Sequence, residues 1–265
     1  MSKTNIFLAR LAHEAAVLVT VQATRGSVPR ESGAWMAVFA QGAVGTIGGG
    51  HLELSAMAEA RQRLAGGSGE SVIRYALGPA LGQCCGGDVQ LFFERVTAAD
   101  ITVLQQRLTT TPTPVALFGG GHVGHALVQV FANLPLQVTW IDSRDEIFPP
   151  QVPSNVCCEH SDPVQAAVAK LVPQSRVLIM SFSHAEDLEV VAACLVRQRL
   201  LTDLPYVGLI GSQTKWATFR HRLQARGFTP QELAHVTCPI GVPGVVSKAP
   251  EVIAVGVAAQ LLQTV

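Results

Sequence analysis

The chain has 265 residues, of which 19 are basic and 19 acidic, so its formal net charge is zero. Only 14% of the residues are charged, against about a quarter in an average soluble domain. A neutral chain lacks the excess of Lys and Arg that neutralises phosphates, which argues against nucleic acid as a partner and against a basic membrane-binding surface. The 48% hydrophobic content supports a large core and excludes a mainly disordered chain.

No segment has the length and apolarity of a membrane span. The stretch between Arg107 and Asp142 lacks charged residues, but prolines and a glycine triplet interrupt it, whereas a span needs about 18 consecutive apolar residues or more. Arg10, His13 and Glu14 lie in the first apolar segment, so we expect no secretory signal and predict a cytoplasmic protein. The six cysteines are sparse, and four form adjacent pairs, which favours reduced thiols over disulfides.

Residues 1–108 have the pattern of a small α+β domain. Helices are predicted at 4–15, 52–64 and 100–108, and strands at 17–24, 35–39, 43–46, 71–75 and 89–94. These elements lack a regular alternation of strand and helix. The segment TTTPTP at 109–114 then combines β-branched residues with two prolines, which suits an exposed connector between domains.

Residues 115–265 alternate short apolar strands with helices. Strands are predicted at 115–118, 137–141, 155–158, 176–182 and 206–210, and helices at 122–133, 163–171, 186–200 and 214–226. Continuous apolar strands that alternate with helices indicate a parallel sheet covered on both faces. We therefore predict an α/β chain whose C-terminal domain is doubly wound and Rossmann-like.

A glycine motif follows the first strand of this second domain. Gly119, Gly121 and Gly124 have the GxGxxG spacing, and Asp142 ends the next strand, about 20 residues later as in dinucleotide-binding folds. The first glycine permits a tight turn, the second lets a pyrophosphate approach the amides at the helix start, and the third allows close packing of helix and strand. Asp142 could accept from a ribose hydroxyl of NAD, whereas Arg144 could contact the 2′-phosphate of NADP. The alternative is a nucleotide-type fold whose site is vestigial or binds another phosphate.

Two glycine-dense loops interrupt the first domain, GSVPRESGA from residue 26 and GTIGGGHLE from residue 45. Gly48, Gly49 and Gly50 directly precede a predicted helix, so their amides would form an anion-binding concavity. Arg30 is one of few cations nearby and could hold a phosphate through two hydrogen bonds. The simpler alternative is a pair of tight turns.

A third loop contains a pair of adjacent cysteines. Cys84 and Cys85 are followed by Gly86 and Gly87. Flanking glycines leave a thiol accessible and supply amide dipoles, which favours a thiolate that binds a soft metal or carries sulfur. We therefore predict a functional role for Cys84 or Cys85, either as a metal ligand or as a sulfur carrier.

These motifs together resemble the XdhC/CoxI family, in the same order and across nearly the whole chain. The segments that carry the resemblance are GSVPRESGA, GTIGGGHLE, CCGGDVQLFFE, FGGGHVGHAL, IDSRDE, SHAEDLE, GLIGSQTK and CPIGVPGVVSKAPEVIAVGVAAQLL. The resemblance implies a chaperone rather than an enzyme. Such a chaperone binds molybdopterin cofactor, protects it while a cysteine desulfurase replaces an oxo ligand with sulfur, and delivers it to xanthine dehydrogenase.

The resemblance also assigns residues to the cofactor. It places the glycine-rich loop of the family at residues 48–53, which include His51 and Glu53, and its cysteine loop at residues 84–87. Some members carry a cysteine at the position of His51. We expect the cofactor to lie between the two domains and the chain to form a homodimer. The rival hypothesis is an NAD(P)-dependent oxidoreductase, based on Gly119 to Asp142 alone, although no pair of Tyr and Lys suited to a proton relay is evident.

Overall fold

The computed structural model describes residues 3–77, 86–109 and 111–265. The chain consists of two compact units, residues 1–109 and 110–265, and each unit has its own hydrophobic cores. Within the described ranges, no helix is both long and apolar enough to cross a membrane.

Unit 1 is built on an antiparallel sheet. Its strands are β1 (Ala16–Arg25), β2 (Trp35–Val38), β3 (Ala43–Gly45), β4 (Val72–Ala76) and β5 (Asp88–Val96), and its helices are α1 (Lys3–Leu11), α2 (Gly50–Leu64) and α3 (Ile101–Leu108). The strands lie in the order β3-β2-β1-β5-β4, and each neighbouring pair is antiparallel. This arrangement confirms the predicted smaller N-terminal domain.

The central strand β1 is buried on both faces because its side chains alternate across the sheet. Val17, Val19 and Val21 pack in the core that includes α2. Ala16 and Leu18 pack in the core formed with α1 and α3. A 3-10 turn precedes α3, so the last helix of this unit begins one residue later than the sequence predicted.

Unit 2 is built on a parallel sheet. Its strands are β6 (Thr113–Phe118), β7 (Leu136–Asp142), β8 (Val156–His160), β9 (Arg176–Ile179), β10 (Tyr206–Leu209) and β11 (Val236–Thr237). Its helices are α4 (His122–Phe131), α5 (His184–Leu201), α6 (Gln213–Ala225), α7 (Pro230–Leu233) and α8 (Pro250–Leu262). The strand order is β11-β10-β9-β6-β7-β8, and all pairs are parallel. The predicted Rossmann-like domain is thereby confirmed.

The helices of unit 2 cover both faces of this sheet. Residues of α5, α6 and α7 contribute to one core, and residues of α4 and α8 to the other. The chain runs outward from β6 to β8 and then returns to β9, on the other side of β6. In open α/β sheets, ligands bind at the carboxyl ends of the strands where the order reverses in this way. The carboxyl ends of β6 and β9 therefore mark the crevice of unit 2.

Three details of unit 2 differ from the sequence predictions. The helix predicted at 163–171 is a 3-10 helix, Val164–Lys170, in which the amide of Ala166 donates to the carbonyl of Pro163. Strand β9 ends at Ile179 rather than at residue 182, because the amide of Ser181 donates to a side chain instead of the sheet. The elements α7, β11 and α8 were not predicted.

Arg197 joins the 3-10 helix to α5 through a buried network. Its guanidinium lies 2.9 Å and 2.6 Å from the two carboxylate oxygens of Asp203, and it donates to the carbonyl oxygens of Val168 and Leu171 at 2.7 and 2.8 Å. The hydrogen bond from Arg197 lowers the pKa of Asp203. Removal of this arginine would leave a carboxylate and two carbonyl groups without their donor.

We expect Arg197→Ala to lower the free energy of unfolding by about 3 kcal/mol, because it leaves the buried carboxylate of Asp203 without its positively charged partner. Arg226→Ala is the matched control, since Arg226 pairs with Glu189 at 2.7 Å on the surface, where such pairs contribute less than about 1 kcal/mol. Urea unfolding of both variants tests this, and similar losses in the two would contradict it.

Candidate functional site

The glycine-dense loops of unit 1 meet at one end of its sheet. Strand β1 ends at Arg25 and β4 ends at Ala76, and both residues pair with Asp88 at the start of β5. Strand β3 ends at Gly45, beside the start of β2. The two glycine-dense loops, and the segment that ends in residues 86–87, therefore all leave the sheet at this end.

Close contacts fix these loops against one another. A Cβ at Gly87 would lie 2.4 Å from the carbonyl oxygen of Arg25 and 2.6 Å from that of Ser27. A Cβ at Gly48, where φ is +125°, would lie 2.6 Å from the ring of Pro29. Because no side chain fits at Gly48 or Gly87, both glycines are required by packing.

Glu53 holds the loop that precedes α2. Its Oε2 accepts hydrogen bonds from the hydroxyl of Thr46 at 2.7 Å, the amide of Gly49 at 2.9 Å and the amide of Ile47 at 3.2 Å. The amide of Gly48 donates to the Thr46 hydroxyl at 3.1 Å. Glu53, which we expected to contact a cofactor, is therefore placed to position the loop, and the amides of Gly48 and Gly49 are already engaged.

The start of α2 remains open to an anion. Its N-cap, Gly49, makes no side-chain capping hydrogen bond, and nothing lies within 4 Å of the place that a Cβ of Gly49 would take. Gly50 and His51 are exposed in the first turn. The amides at the start of a helix attract negative charge. Because the amides of Gly48 and Gly49 are engaged, an anion at the predicted concavity would have to use the amides in the first turn of α2.

Arg30 lies beside this loop with its charge uncompensated. Its Cγ is 3.5 Å from the place of a Cβ at Gly48. Within the described part of unit 1, its guanidinium has no ion-pair or hydrogen-bond partner. Burial lowers the pKa of Lys3, and the positive charge of Arg30 lowers it further.

The predicted metal ligands Cys84 and Cys85 lie outside the described residues. Gly86 is described, and nothing lies within 4 Å of the place of its Cβ. Among the residues that the structure describes, no group of three or more His, Cys, Asp or Glu side chains is arranged to hold a metal ion. The metal role of the two cysteines stays a prediction.

In unit 2, Gly119 and Gly124 leave no room for a side chain. A Cβ at Gly119, where φ is +123°, would lie 2.0 Å from the carbonyl oxygen of Met180, and a Cβ at Gly124 would lie 2.1 Å from that of Gly119. These glycines let β6 approach β9 and α4. Gly121 differs, because its φ of −76° suits any residue and nothing lies within 4 Å of the place of its Cβ. The fold does not require a glycine at 121, whereas close approach of a phosphate would.

Asp142 is 1% exposed and its carboxylate is fully engaged. Oδ2 accepts from the amide of Gly120 at 2.6 Å and from Nη2 of Arg144 at 2.9 Å. Oδ1 accepts from the amide and Nε of Arg144 at 2.9 and 2.8 Å. A carboxylate offers about four acceptor positions, so a ribose hydroxyl would find none free. Burial disfavours the charged form, but the hydrogen bonds from Arg144 and Gly120 outweigh it and lower the pKa of Asp142.

Glu186 joins the ends of β7 and β9. Its carboxylate accepts from the hydroxyl of Ser143 at 2.8 Å and from the amide of Phe182 at 3.1 Å. Its own amide donates to the hydroxyl of Ser183 at 3.2 Å, and Ser183 is the N-cap of α5. Phe182 is 65% exposed, and its ring centroid lies 4.3 Å from the guanidinium carbon of Arg144. Arg144 is therefore fixed in orientation.

Lys215, at the carboxyl end of β10, is buried in an ion pair. Its Nζ lies 2.6 Å from Oδ2 of Asp187 and 2.8 Å from the carbonyl oxygen of Ile210. Oδ1 of Asp187 accepts from the amide of Ser181 at 2.7 Å. The pair links the ends of β9 and β10. Sequence reasoning missed it because each residue looks like an ordinary first-turn residue of its own helix.

We expect Asp142→Asn to lower the free energy of unfolding by about 2 kcal/mol near neutral pH, because an amide nitrogen cannot accept from Gly120 or Arg144. The folded-state pKa of Asp142 lies below its ordinary value, which is about 3.9. The ionised carboxylate therefore contributes fully to the free energy of unfolding above that value, and this contribution is lost as the pH falls through the folded-state pKa. Urea unfolding from neutral to acidic pH should show that the free energies of unfolding of the parent protein and the variant converge. A difference in free energy that stays constant with pH would refute this.

We expect Gly124→Ala to lower the free energy of unfolding by about 3 kcal/mol, because its methyl group would overlap a backbone oxygen. Gly121→Ala should change it by less than about 1 kcal/mol, since the fold leaves space there and only the N-cap preference is lost. Urea unfolding of the pair tests the assignment. Equal losses would show that Gly121 is also required by packing.

Comparisons with known proteins cover both units. The family model described as the XdhC Rossmann domain matches residues 115–261, and the model described as the XdhC and CoxI family matches residues 9–76. An uncharacterised protein of Escherichia coli (strain K12), YqeB, is 30% identical over 249 residues. The match covers 91% of this chain and 42% of YqeB, so this chain spans less than half the length of that relative.

A solved structure has the same fold. It is described as a xanthine dehydrogenase from Bacillus halodurans, and its TM-score to this chain is 0.80 at 19% sequence identity. The superposition covers 100% of this chain and 96% of the other. At this level of identity the likeness establishes the fold.

Proposed function

We propose that this chain, which belongs to the XdhC/CoxI family, is an accessory protein that binds molybdopterin cofactor and delivers it to a xanthine dehydrogenase. A cysteine desulfurase would sulfurate the cofactor while the chain holds it. The protein would act as a chaperone that binds and releases its cargo, as a cytoplasmic homodimer. The family match supports the accessory role, and the description of the B. halodurans structure as a xanthine dehydrogenase fits the proposed client.

The observation that carries this proposal is that two glycine-dense loops and residues 86–87 meet at one end of the unit 1 sheet, beside Arg30, whose guanidinium has no partner among the described residues of that unit. Nothing lies within 4 Å of the places where Cβ atoms of Gly33, Gly49 and Gly86 would be. The described residues thus fit a phosphorylated ligand that lies against the backbone.

Each described group would have a separate task. The amides in the first turn of α2 and the guanidinium of Arg30 would bind the phosphate of the cofactor, while Glu53 keeps the loop in place. When bound, the cofactor supplies a molybdenum centre. Cys84 or Cys85 would supply the thiolate for this metal, because thiolates are soft donors.

The oxidoreductase hypothesis has less support. Asp142 has no free acceptor position for a ribose hydroxyl. Burial raises the pKa of Tyr206 to about 12, and its hydroxyl is bonded to Gln260 at 2.8 Å. Burial also raises the pKa of Tyr75, the other tyrosine of the chain. Neither tyrosine is suited to give up a proton near neutral pH.

We expect the double variant Cys84→Ser, Cys85→Ser to lose the molybdopterin that co-purifies with the protein under anoxic conditions, because it lacks the soft donors. Molybdopterin is quantified as its oxidised fluorescent derivative. The matched control is Cys157→Ser, Cys158→Ser, the other adjacent pair, which lies in β8 of unit 2. Undiminished cofactor in the first variant, or equal loss in both, would overturn the proposal.

A second pair of variants separates phosphate binding from metal binding. Arg30→Ala should reduce retention at least tenfold, because it removes the cation beside α2. Arg61→Ala, an exposed arginine near the other end of α2, should leave retention unchanged. Thermal unfolding confirms that all variants remain folded.

A further inference from the structure

Exposed apolar side chains are concentrated in residues 245–265, which form α8 and the loop before it. Among the described residues, 14 large hydrophobic side chains are exposed, and six of them lie in this stretch: Val245, Val246, Val252, Val255, Leu262 and Val265. Exposed apolar side chains that cluster, rather than scatter singly, mark a surface that another molecule covers. The proposed function assigns no task to this surface.

One face of α8 presents an apolar stripe to solvent. Val252, Val255 and Leu262 are 39%, 58% and 40% exposed, and Ala259, between the last two, is exposed as well. These four residues, the α8 stripe, are spaced 3, 4 and 3 residues apart. This spacing is that of the seam along which two helices pack as knobs in holes. The opposite face of α8 already packs in a core with α4, so the stripe lies outside the fold.

The loop before α8 widens this apolar surface and is anchored to the helix. Gln260 of α8 accepts from the amide of Gly241 at 2.8 Å and donates to its carbonyl at 3.2 Å. A Cβ at Gly256 would lie 3.6 Å from Cγ1 of Val245, so the loop runs alongside the helix. The next residue, Val246, is 95% exposed. Because the loop is already held in place, little conformational entropy is lost when a partner covers it.

The α8 stripe is complementary to itself when two copies of the helix run antiparallel. In this direction Val252 faces Leu262 of the second copy, and Val255 faces the small side chain of Ala259. Large side chains thereby fill the space that small ones leave. Parallel helices would place Ala259 against Ala259 and leave a gap in the seam. The antiparallel arrangement also sets the two helix dipoles in opposite directions, and twofold symmetry makes each contact occur twice.

The charges of the chain do not oppose this pairing. The α8 stripe contains no ionisable side chain, which argues against an acidic or a basic peptide as its partner. The formal net charge of the chain is zero, so two copies do not repel each other at a distance. Glu251 is the only charged residue of α8, and in the first turn it favours the N-terminus of its own helix.

We propose that the α8 stripe and the loop at residues 241–247 form the interface between two copies of this chain, with the two α8 helices antiparallel about a twofold axis near Val257. The helices lie about 8–10 Å apart. The inference rests on the homodimer that the proposed function includes, and it assigns that dimer a surface, an orientation and a register.

Sedimentation equilibrium of the full chain, without molybdopterin, tests the surface. We expect a dimer whose dissociation constant rises at least tenfold in Val255→Glu, because the variant places a carboxylate in the apolar seam. Leu200→Glu is the matched control. Leu200 is 74% exposed on α5, which packs on the other face of the sheet, so this variant should leave the dissociation constant unchanged. Thermal unfolding checks that both variants remain folded.

Disulfide cross-linking tests the orientation. Copies with Val252→Cys mixed with copies with Leu262→Cys should form a cross-linked dimer, because the two positions face each other in the antiparallel pair. Either variant alone should not cross-link at α8, since its two cysteines would be about 15 Å apart along the helices and a disulfide needs Cα atoms within about 7 Å. The parent chain, whose Cys157 is exposed, reports cross-links formed elsewhere.

Three results would each overturn the proposal. They are a parent chain that is monomeric at every concentration, a dimer that Leu200→Glu dissociates and Val255→Glu does not, and single variants that cross-link as well as the mixture. Because dimerisation is measured without molybdopterin, its outcome is independent of cofactor retention, which tests the proposed function.

Discussion

The architecture of unit 2 depends on close backbone contacts at two glycines. Gly119 lets the turn after β6 touch the carbonyl group of Met180, and Gly124 lets α4 touch Gly119. Larger residues would force β6 away from β9 and α4 away from the sheet. These contacts bring together the carboxyl ends of β6 and β9, where the strand order reverses. The crevice of unit 2 is a consequence of this packing.

Three of the scarce carboxylates of the chain hold loops. Glu53, Asp142 and Asp187 each accept hydrogen bonds from backbone amides of loops at strand ends. They are thereby removed from the groups available to a ligand, whereas the guanidinium of Arg30 has no partner within the described part of unit 1. A net charge of zero is therefore compatible with one small phosphorylated ligand, because backbone amides and a single arginine can bind it.

The parallel sheet of unit 2 and the packing roles of two of its glycines were predictable, because periodicity and spacing reflect local backbone geometry. Gly119 and Gly124 have the packing roles that the motif predicted. The roles of Asp142 and Lys215 were not predictable, since each depends on a partner chosen by the tertiary fold: Arg144 turns back onto Asp142, and Asp187 meets Lys215 from another helix. Helix α8 was missed because it is apolar on all sides and lacks an amphipathic period.

The glycine loops of unit 1 are proposed to bind molybdopterin. Hydrogen exchange of the full chain, measured by mass spectrometry with and without the cofactor, reports on the amides of these loops. We expect slower exchange in peptides that cover residues 26–34 and 46–53, because the ligand would lie against their amides. Protection confined to residues 119–124, or absent from both loops of unit 1, would contradict it.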